Sequence, residues 1–560
     1  MANRIVVVGG VAGGMSCATR LRRLDEFASI TILERGPFVS FANCGLPYHV
    51  GGEIADRNKL IVQSPERLKA VFNLDVRSRT EAIQIDRDSN TVRVRNLESN
   101  EEYTLPYDHL VLATGAVGIM PQVPGIDRAG HFLMRTIPEM DSILQWIKNH
   151  AAKRALILGG GFIGLEAAEQ LHRIGMNVTV VERNAQVLTP LDPEMAAHVQ
   201  AELVQHGITL KLRNPAVAFE APQAGESAIA SVAVLANGER IPADLVIIGV
   251  GVKPETTLAK SAGITLGSAG GIQVNEFLRT SDPRIWAVGD AIEVKHAVTH
   301  TAAIIPLAGP ANRQGRIVAD NICGRDSEYS GTLGTAIVRI FDKAAAVTGA
   351  NERLLKSAGI PFHVVHLHPN SHAGYFPGSK SIALKLLFHP QSGRILGAQA
   401  VGEDGVDKRI DILATAITSK FTVHDLAELE LAYAPPYGSA KDPINLAGMA
   451  ACNVLEELVA IAQWHEVPKL VEEGALVLDV RDASERTGGI IPGSVSIPLG
   501  ELRQKLDELP RDRLILAHCA SGQRSYNACR LLMQHGYSCR NLTGSFKTWQ
   551  MAQSIPGSNS

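Results

Sequence analysis

The sequence lacks the closely spaced cysteine pairs that mark many zinc sites and dithiol centres. Seven cysteines are spread over 560 residues, and no two of them form a C-x-x-C pair. An odd number of scattered cysteines is typical of proteins from a reducing compartment. We therefore expect a cytoplasmic protein with one or two working thiols, without a disulfide scaffold and without a metal site.

Long hydrophobic runs and a strong net charge are also absent from the sequence. No stretch of about 18 or more uninterrupted apolar residues occurs, so we expect no membrane-spanning segment. The formal net charge is −3, which gives no reason to expect nucleic acid or a membrane surface as a partner. An anionic small molecule would have to be bound by a local cluster of basic residues.

The sequence does contain two copies of one pattern: a buried strand, a glycine-rich turn and a helix. The first copy is RIVVVGGVAGGMSCATRLRRL from Arg4, and the second is ALILGGGFIGLEAAEQLHRIG from Ala155. Each is followed by a strand that ends at an acidic residue, Glu34 or Glu182. A chain of this length is expected to form about three to five domains, and two βαβ units predict two nucleotide sites.

The second copy has the full dinucleotide-binding pattern, G-x-G-x-x-G, at Gly159, Gly161 and Gly164. Glycines at this spacing permit a tight turn and let backbone N–H groups approach a pyrophosphate at the positive end of the helix. Glu182 can accept hydrogen bonds from ribose hydroxyls and would repel a 2′-phosphate, which favours NADH over NADPH. The adjacent Arg183 could soften this preference, so NADPH is kept as an alternative.

The first copy departs from the pattern because Val11 replaces the middle glycine. Two later strand-end segments accompany it, an ATG turn and a Gly-Asp pair whose acid could bind a ribityl hydroxyl. These fragments in this order resemble the flavoproteins with two dinucleotide-binding domains, related to glutathione reductase and NADH oxidase. The resemblance implies FAD and NAD(P)H as cofactors. The expected FAD contacts are Gly9, Gly10, Ala12, Gly13, Gly14, Glu34, Arg35, Thr114, Gly115 and Asp290, and the expected nucleotide contacts are Gly159, Gly161, Gly164 and Glu182.

A single cysteine stands in SFANCGLPY, residues 40–48. Dithiol reductases of this type carry C-x₄-C, but here His49 stands where the second cysteine would be. The stretch resembles the signature of coenzyme A disulfide reductases, which use one cysteine beside the flavin, and the resemblance covers residues 1 to about 448. Cys44 is thus the expected catalytic thiol, with its thiolate stabilised by the flavin edge or a helix N-terminus. Without a resolving cysteine, it must form a mixed disulfide with a small thiol or a sulfenic acid.

A basic helix face favours the mixed disulfide. Ser16, Arg20 and Arg23 are spaced i, i+4 and i+7 on the first predicted helix, so they share one face, although such a face can also simply be solvated. In coenzyme A disulfide reductases the matching positions bind the coenzyme, as substrate or as bound thiol. One basic position of some members is apolar here, near Phe72. The full set of substrate contacts implied by the resemblance is Ser16, Arg20, Arg23, Ser40, Asn43, His300 and Lys441.

Two tyrosines match residues that the family brings to the thiol from the neighbouring subunit. They are Tyr375, in HAGYFPG, and Tyr433, in YAPPYGSAKDP. Their hydroxyls could protonate a leaving thiolate, and packing in the core of the third domain is the alternative role. The resemblance therefore implies a homodimer whose catalytic sites are shared between subunits.

The C-terminal segment predicts a further small α/β domain with its own cysteine loop. The loop CASGQRS, which begins at Cys519, lies between a strand and a helix, where turning amides would favour a thiolate or persulfide. It resembles the catalytic loop of rhodaneses, with Asp479 and Arg481 as an early motif. Cysteine phosphatases use the longer C-x₅-R loop, and an inert interaction module is a third interpretation. The resemblance implies that the other contacts of this loop are Ser521, Gly522, Arg524 and Ser525. Four cysteines outside the two motifs are expected to be structural: Cys17, Cys323, Cys529 and Cys539.

The predicted fold class is α/β, with two Rossmann-like domains for FAD and NAD(P)H, an α+β dimerisation domain and a C-terminal α/β rhodanese domain. The predicted limits are 1–115 with 255–325 for FAD binding, 116–254 for NAD(P)H binding, 326–448 for dimerisation, 449–465 for a linker and 466–556 for the rhodanese domain.

The chain most resembles a coenzyme A disulfide reductase fused to a rhodanese domain, a group linked to persulfide and polysulfide reduction. We therefore predict an NADH-dependent reductase of coenzyme A persulfide, polysulfide or coenzyme A disulfide that acts through Cys44 while Cys519 handles sulfane sulfur. The alternatives are an NADH oxidase or peroxidase that acts through a sulfenic acid, and a redox-sensing or sulfur-trafficking module with negligible NADH turnover.

Overall fold

The computed structural model describes residues 3–222 and 230–555. Outside this part lie residues 1–2 of the predicted FAD domain, residues 223–229 of the predicted NAD(P)H domain, residue 556 of the predicted rhodanese domain, and the last four residues. The chain separates into two compact units, the first formed by Met1–Val181 with Asn214–Gly334 and the second by Glu182–Arg213 with Thr335–Ser560. Within the described residues, no helix is both long and apolar enough to cross a membrane.

The N-terminal part alternates strands and helices and then forms an antiparallel meander. Its elements are β1 (Arg4–Val8), α1 (Ala12–Leu24), β2 (Ser29–Glu34), α2 (Leu46–Val50), α3 (Pro65–Phe72), β3 (Asp75–Ser78), β4 (Thr80–Asp86), β5 (Thr91–Asn96), β6 (Glu102–Pro106), β7 (His109–Leu112) and β8 (Ala116–Gly118).

The next part repeats the alternation and returns to the first sheet through β18. Its elements are β9 (His131–Phe132), α4 (Ile137–His150), β10 (Arg154–Leu158), α5 (Phe162–Arg173), β11 (Asn177–Val181), α6 (Pro193–Gln205), β12 (Thr209–Lys211), β13 (Ala216–Glu220), β14 (Ser231–Leu235), β15 (Arg240–Ala243), β16 (Leu245–Ile248), β17 (Val252–Pro254), α7 (Thr257–Ser261), β18 (Ile285–Ala287), β19 (Val294–Lys295), β20 (Ala302–Ala303) and α8 (Ala308–Ile322).

The C-terminal part contains an antiparallel region and then a second parallel one. Its elements are β21 (Ala336–Ile340), β22 (Lys343–Gly349), α9 (Glu352–Ser357), β23 (His363–Leu367), β24 (Ile382–Phe388), β25 (Ile395–Gly402), α10 (Val406–Thr418), α11 (Val423–Glu428), α12 (Pro443–Leu455), β26 (Ala460–Ala462), α13 (Val467–Glu472), β27 (Leu476–Asp479), β28 (Val495–Ser496), β29 (Ile515–His518), α14 (Gln523–Gln534), β30 (Cys539–Leu542) and α15 (Ser545–Gln553).

Two parallel sheets organise the first unit. The order of one is β18-β7-β1-β2-β3, and the other contains β11-β10-β16-β9 in that order. The central strands are buried along nearly their whole length, which explains their continuous apolar sequences. Helices α1 and α8 approach so closely that a Cβ on Gly315 would lie 2.3 Å from the Gly13 carbonyl oxygen. The carboxyl ends of these strands carry both glycine turns, as the sequence predicts.

The second unit contains one antiparallel and one parallel sheet. The antiparallel order is β21-β22-β25-β24-β23, and the parallel order is β26-β30-β29-β27-β28. Helices α10 and α12 accompany the antiparallel sheet, and α13 to α15 alternate with the parallel strands. The predicted fold class, with an α+β region followed by a small α/β domain, is confirmed.

A buried lysine joins separate segments of the second unit. Lys385 on β24 is fully buried, and its Nζ contacts the carboxylates of Asp192 at 2.8 Å, Glu194 at 2.5 Å and Glu352 at 2.7 Å. Burial by itself would lower the pKa of Lys385, but the three carboxylates outweigh burial and raise it. The charged ammonium therefore ties α6 and α9 to the antiparallel sheet.

The Lys385 network predicts a large stability effect. Lys385→Met leaves three carboxylates without their cation, and we expect the free energy of unfolding to fall by about 3–5 kcal/mol, as for other broken buried ion pairs. Urea unfolding of the second unit, followed by circular dichroism, measures the change. Lys380→Met is the matched control, because Lys380 is half exposed in its pair with Glu403. Equal destabilisation by both variants would contradict this account.

Candidate active site

The second glycine turn, between β10 and α5, has the backbone geometry that a dinucleotide requires. Gly159 has φ +98°, and a Cβ there would lie 2.4 Å from the Gly249 carbonyl oxygen. A Cβ on Gly164 would lie 2.0 Å from the Gly159 oxygen, whereas one on Gly161 would point into open space. The first and third glycines thus permit the turn and the close packing, and the middle one leaves room for a pyrophosphate at the start of α5.

Glu182 directly follows β11 and is held by its own turn. It is buried, and its carboxylate accepts hydrogen bonds from the backbone N–H and the side-chain amide of Asn184, at 2.8 and 2.6 Å. Arg183 between them is exposed. The turn therefore fixes an acidic group at a strand end, where the ribose of NADH is bound in folds of this type.

The first glycine turn, between β1 and α1, is built in the same way. Gly9 has φ +106°, and a Cβ on Gly14 would lie 1.9 Å from the Gly9 carbonyl oxygen. Val11 precedes α1 with a negative φ of −109°, so this position does not need the left-handed backbone that favours glycine. The Glu34 carboxylate accepts a hydrogen bond from the Gly10 N–H at 2.9 Å. The replacement of the middle glycine by valine therefore leaves the turn intact.

Asp290 supplies a partly buried carboxylate after β18. It lies in the 3-10 turn Gly289–Ala291, and the Gly289 N–H donates to Gln314 at 2.7 Å. Burial raises the pKa of Asp290, and the positive charge of Arg135 opposes this shift without cancelling it. A partly desolvated carboxylate is stabilised by hydroxyl donors, so Asp290 fits the ribityl chain of FAD.

The other predicted FAD contacts surround the same turn. Thr114 lies two residues after β7 and donates its hydroxyl to the Glu255 carbonyl oxygen at 2.6 Å. A Cβ on Gly115, which has φ +68°, would meet open space. The guanidinium of Arg35 is exposed and lies 3.8 Å from the Glu255 carboxylate, and Ala12 opens α1. These residues fit an extended cofactor that lies over the carboxyl edge of the sheet.

Cys44 is exposed in the 3-10 turn Asn43–Gly45. Its backbone N–H donates to the Asn43 Oδ1 at 3.0 Å. Partial desolvation raises the pKa of the Cys44 thiol, and the negative charges of Glu166 and Asp290 raise it further. Helix α2 begins two residues later and does not offset these effects. Stabilisation of the Cys44 thiolate by the flavin edge or by a helix N-terminus stays a prediction.

The basic face of α1 is partly neutralised. The Arg20 guanidinium forms an ion pair with Asp320 at 2.8 Å, and the Ser16 hydroxyl donates to Asn312. Arg23 is exposed. Arg22 is buried and donates to backbone carbonyl oxygens, including that of Phe72. Arg23 is therefore the most accessible of the three predicted face residues.

Three further predicted substrate contacts lie in turns of the first unit. Ser40 has φ +45° and His300 has φ +59°, so both occupy left-handed backbone positions that are unusual for residues other than glycine. Asn43 and His300 are exposed, and Ser40 is half-buried. Lys441 belongs to the second unit, where it is exposed directly before α12.

The two predicted tyrosines meet on the surface of the second unit. The hydroxyls of Tyr375 and Tyr433 lie 3.1 Å apart, and the residues are 76% and 49% exposed. Core packing, the alternative role, is therefore wrong for both. The hydrogen bond to Tyr433 raises the pKa of Tyr375. Each hydroxyl can act as donor or as acceptor.

The C-terminal cysteine loop forms an anion cradle around Cys519. The Gly522 N–H donates to the Cys519 Sγ at 3.1 Å, and the Ser525 hydroxyl donates to it at 3.5 Å. Burial acts to raise the pKa of Cys519, but these donors and the backbone N–H groups of Ser525 and Ser521 outweigh it and lower the pKa. The loop therefore favours the thiolate, as its sequence predicts.

Sequence reasoning missed several long-range contacts around the two cysteines. Arg524 makes two 2.6 Å hydrogen bonds to the Glu485 carboxylate, so this loop arginine is already paired. The Ser545 hydroxyl accepts the Cys519 N–H at 3.1 Å. No local sequence signal marks Glu485, Ser545 or Glu166, because each is brought to its cysteine by the fold. Glu166 acts on Cys44, and the other two lie in the rhodanese-like domain. Cys529 and Cys539 are buried with their sulfurs 3.0 Å apart.

Three family models match the chain in succession. Residues 3–315 match the pyridine nucleotide-disulphide oxidoreductase family, residues 335–442 match its dimerisation domain, and residues 463–552 match the rhodanese-like domain. A coenzyme A disulfide reductase from Staphylococcus haemolyticus is 35% identical over 449 residues, which are 80% of this chain and 99% of the relative.

Solved structures extend the similarity over the full chain. The reduced CoADR-RHD of Bacillus anthracis is 48% identical with a TM-score of 0.96, over 99% of this chain and 98% of its own. A NAD-dependent persulfide reductase from A. fulgidus is 38% identical with a TM-score of 0.90, over 98% and 100%. The water-forming NADH oxidase of Lactobacillus brevis is 27% identical with a TM-score of 0.77, over 82% and 100%. This chain therefore belongs to the pyridine nucleotide-disulphide oxidoreductase family, as an oxidoreductase that uses FAD and NADH and carries a C-terminal rhodanese-like domain.

Proposed function

We propose that this enzyme uses NADH to reduce coenzyme A persulfide, polysulfide or coenzyme A disulfide through Cys44, while Cys519 handles sulfane sulfur. The observation that carries the proposal is the exposed Cys44 with His49 in place of a resolving cysteine. A bound small thiol must then complete the disulfide. The names of the relatives, a coenzyme A disulfide reductase and a persulfide reductase, support this substrate class.

In the proposed reaction, the Cys44 thiolate attacks a sulfur of the substrate, the substrate S–S bond breaks, and a thiol or hydrosulfide leaves with one proton. The other half of the substrate stays on Cys44 as a mixed disulfide. Bound FAD would pass on the two electrons and the proton of the NADH hydride, which would break this disulfide, restore the Cys44 thiolate and release the retained thiol. The pair formed by Tyr375 and Tyr433 provides the proton to the leaving sulfur. The exposure of both side chains supports this role, because it leaves the two hydroxyls accessible to a substrate.

The proposed coenzyme site combines basic and polar side chains. Arg23 supplies an accessible positive charge for a phosphate, whereas Arg20 must share its charge with Asp320. The remaining proposed contacts are Ser16, Ser40, Asn43, His300 and Lys441.

We further propose a cytoplasmic homodimer in which Tyr375 and Tyr433 act on the Cys44 of the neighbouring subunit. The match of residues 335–442 to a dimerisation domain supports the dimer, and seven free cysteines fit a reducing compartment. The proposed domain limits are those expected from the sequence, with FAD binding by 1–115 and 255–325, NAD(P)H binding by 116–254, dimerisation by 326–448, a linker at 449–465 and a rhodanese domain at 466–556.

An NADH oxidase or peroxidase is the second candidate function. The similarity to the NADH oxidase of Lactobacillus brevis favours it, because that protein shares the fold over 82% of this chain. A single exposed cysteine can also cycle through a sulfenic acid. In that reaction the oxidant is oxygen or peroxide, and coenzyme A is not needed.

Steady-state NADH consumption distinguishes these functions. Wild type, Cys44→Ser and Cys519→Ser are compared with coenzyme A persulfide, coenzyme A disulfide, polysulfide, oxygen and peroxide as oxidants. We expect Cys44→Ser to lose turnover of the sulfur substrates by roughly 10²-fold or more, since the attacking atom is removed. Cys519→Ser should keep coenzyme A disulfide reduction, because that substrate carries no sulfane sulfur.

The control is Cys323→Ser, which removes a thiol outside the proposed sites. Full persulfide reduction by Cys44→Ser would refute the proposal. Faster turnover with oxygen or peroxide than with every sulfur substrate would favour the oxidase or peroxidase.

The electrostatic setting of Cys44 predicts a gain in thiol reactivity. Glu166→Gln removes a negative charge that raises the pKa of Cys44, so the thiolate fraction below that pKa should increase, by up to about tenfold for one pKa unit. The rate of iodoacetamide alkylation of Cys44 against pH measures this change. Glu101→Gln, an exposed site elsewhere, should leave the profile unchanged. An unaltered or alkaline-shifted profile for Glu166→Gln would show that Glu166 does not act on the thiol.

The cradle around Cys519 predicts the opposite response. Ser525→Ala removes a donor to the Cys519 sulfur, so the pKa of Cys519 rises and the acidic limb of the sulfurtransferase pH profile moves to higher pH. One hydrogen bond is worth about 1 kcal/mol, or about a fivefold change in the ionisation equilibrium. Thiocyanate formation from thiosulfate and cyanide reports the profile. Ser521→Ala, which keeps its backbone N–H, is the control, and identical profiles for both variants would contradict the cradle.

A further inference from the structure

Three side-chain clusters among the described residues have donor atoms close enough to hold a cation. In two of them a lysine already supplies the positive charge. Lys385 contacts the cluster of Asp192, Glu194 and Glu352, and Lys343 contacts Glu202 of the second cluster at 2.7 Å. The third cluster consists of His424, Cys452 and Glu456. Within the described residues, no lysine or arginine forms an ion pair with this cluster.

The third cluster is built by two packed helices. His424 lies on α11, Cys452 lies on α12, and Glu456 caps the C-terminus of α12. Cys452 and Glu456 are four residues apart, and so are His424 and Glu428, so each pair shares one helix face. The helices are held together by other contacts, since the Asn445 side chain donates to the Leu429 carbonyl oxygen at 2.8 Å. The donor atoms are therefore brought together on a rigid frame.

The spacing of the donor atoms suits a tetrahedral metal. The His424 Nδ1 lies 3.3 Å from the Cys452 Sγ and 3.7 Å from the Glu456 Oε1. Tetrahedral zinc, with bonds of about 2.3 Å to sulfur and about 2.0–2.1 Å to nitrogen and oxygen, separates the same atom pairs by about 3.6 and about 3.4 Å. Movements of a few tenths of an ångström by these side chains would bring the donor atoms to the tetrahedral distances.

The local charge also favours a cation. The negative charges of Glu456 and Glu428 both act on Cys452. A divalent cation is attracted by both carboxylates and stabilises a bound thiolate. Mixed sulfur, nitrogen and oxygen donors select zinc over magnesium or calcium, which prefer oxygen alone.

We propose that His424, Cys452 and Glu456 bind one zinc ion per chain, with Glu428 or water as the fourth ligand. The absence of C-x-x-C pairs had led us to expect no metal site, but here the fold joins ligands 28 residues apart. The ion would clamp α11 to α12, which flank the segment 429–442 that carries Tyr433 and Lys441. The inference does not depend on which sulfur substrate the enzyme reduces.

Zinc content of the full-length flavoprotein tests the proposal. Cys44→Ser and Cys519→Ser are combined as the background, so that those thiols do not compete, and the protein is dialysed against zinc before metal analysis. We expect one equivalent per chain in the background, a loss of that equivalent on adding Cys452→Ser or His424→Ala, and retention on adding Cys323→Ser. Cobalt in place of zinc should give ligand-field bands at long wavelength, beyond the absorption of oxidised flavin, only where Cys452 and His424 are intact.

Thermal unfolding provides a second readout. A ligand that binds only the folded state stabilises that state. Zinc should therefore raise the melting temperature of the background and of the Cys323→Ser control, but not that of the Cys452→Ser form. Zinc binding that persists unchanged in both ligand variants would overturn the proposal. So would a background that binds no more zinc than its Cys452→Ser form.

Discussion

The close approach of backbone to backbone at two glycine turns is the constraint on which the site depends. A side chain at Gly14 or at Gly164 would collide with the carbonyl oxygen at the start of its own turn, Gly9 or Gly159. Both helices therefore begin directly against the carboxyl end of a buried strand, where their N-terminal N–H groups are available to an anion. At the same edge, Glu34 accepts hydrogen bonds from the Gly10 N–H of the turn and from the Gly36 N–H.

The two proposed working cysteines are prepared in opposite ways. Around Cys519, donors from the loop outweigh burial and lower the thiol pKa, so the chain itself supports an anionic sulfur carrier. Around Cys44, desolvation and the charges of Glu166 and Asp290 raise the thiol pKa. The protein groups around Cys44 thus disfavour its thiolate, whereas those around Cys519 favour it. This difference suits a carrier that must hold sulfur at rest and a reductant that should react only in the loaded enzyme.

The sequence predicted the parts of the molecule that are encoded locally. Glycine turns, strand-end acids and the CASGQRS loop depend on residues a few positions apart, and each adopts the expected geometry. Partners from distant segments could not be predicted. Asp320 neutralises Arg20 across about 300 residues, Ser545 supports Cys519 from a later helix, and Lys385 gathers acids from two other segments. No periodicity or motif encodes such pairs, because only the tertiary fold sets the distance between them.

The rhodanese-like domain is supported by the antiparallel sheet next to it. The backbone N–H of His366 on β23 donates to the Thr543 hydroxyl at 2.8 Å, and the ring of His368 lies 2.8 Å from the Thr548 hydroxyl. Ser545, whose hydroxyl accepts the Cys519 N–H, lies between these two threonines. A shift of β23 would therefore move the residue that anchors the cysteine loop. The sheet therefore contributes contacts on both sides of the residue that anchors the Cys519 loop.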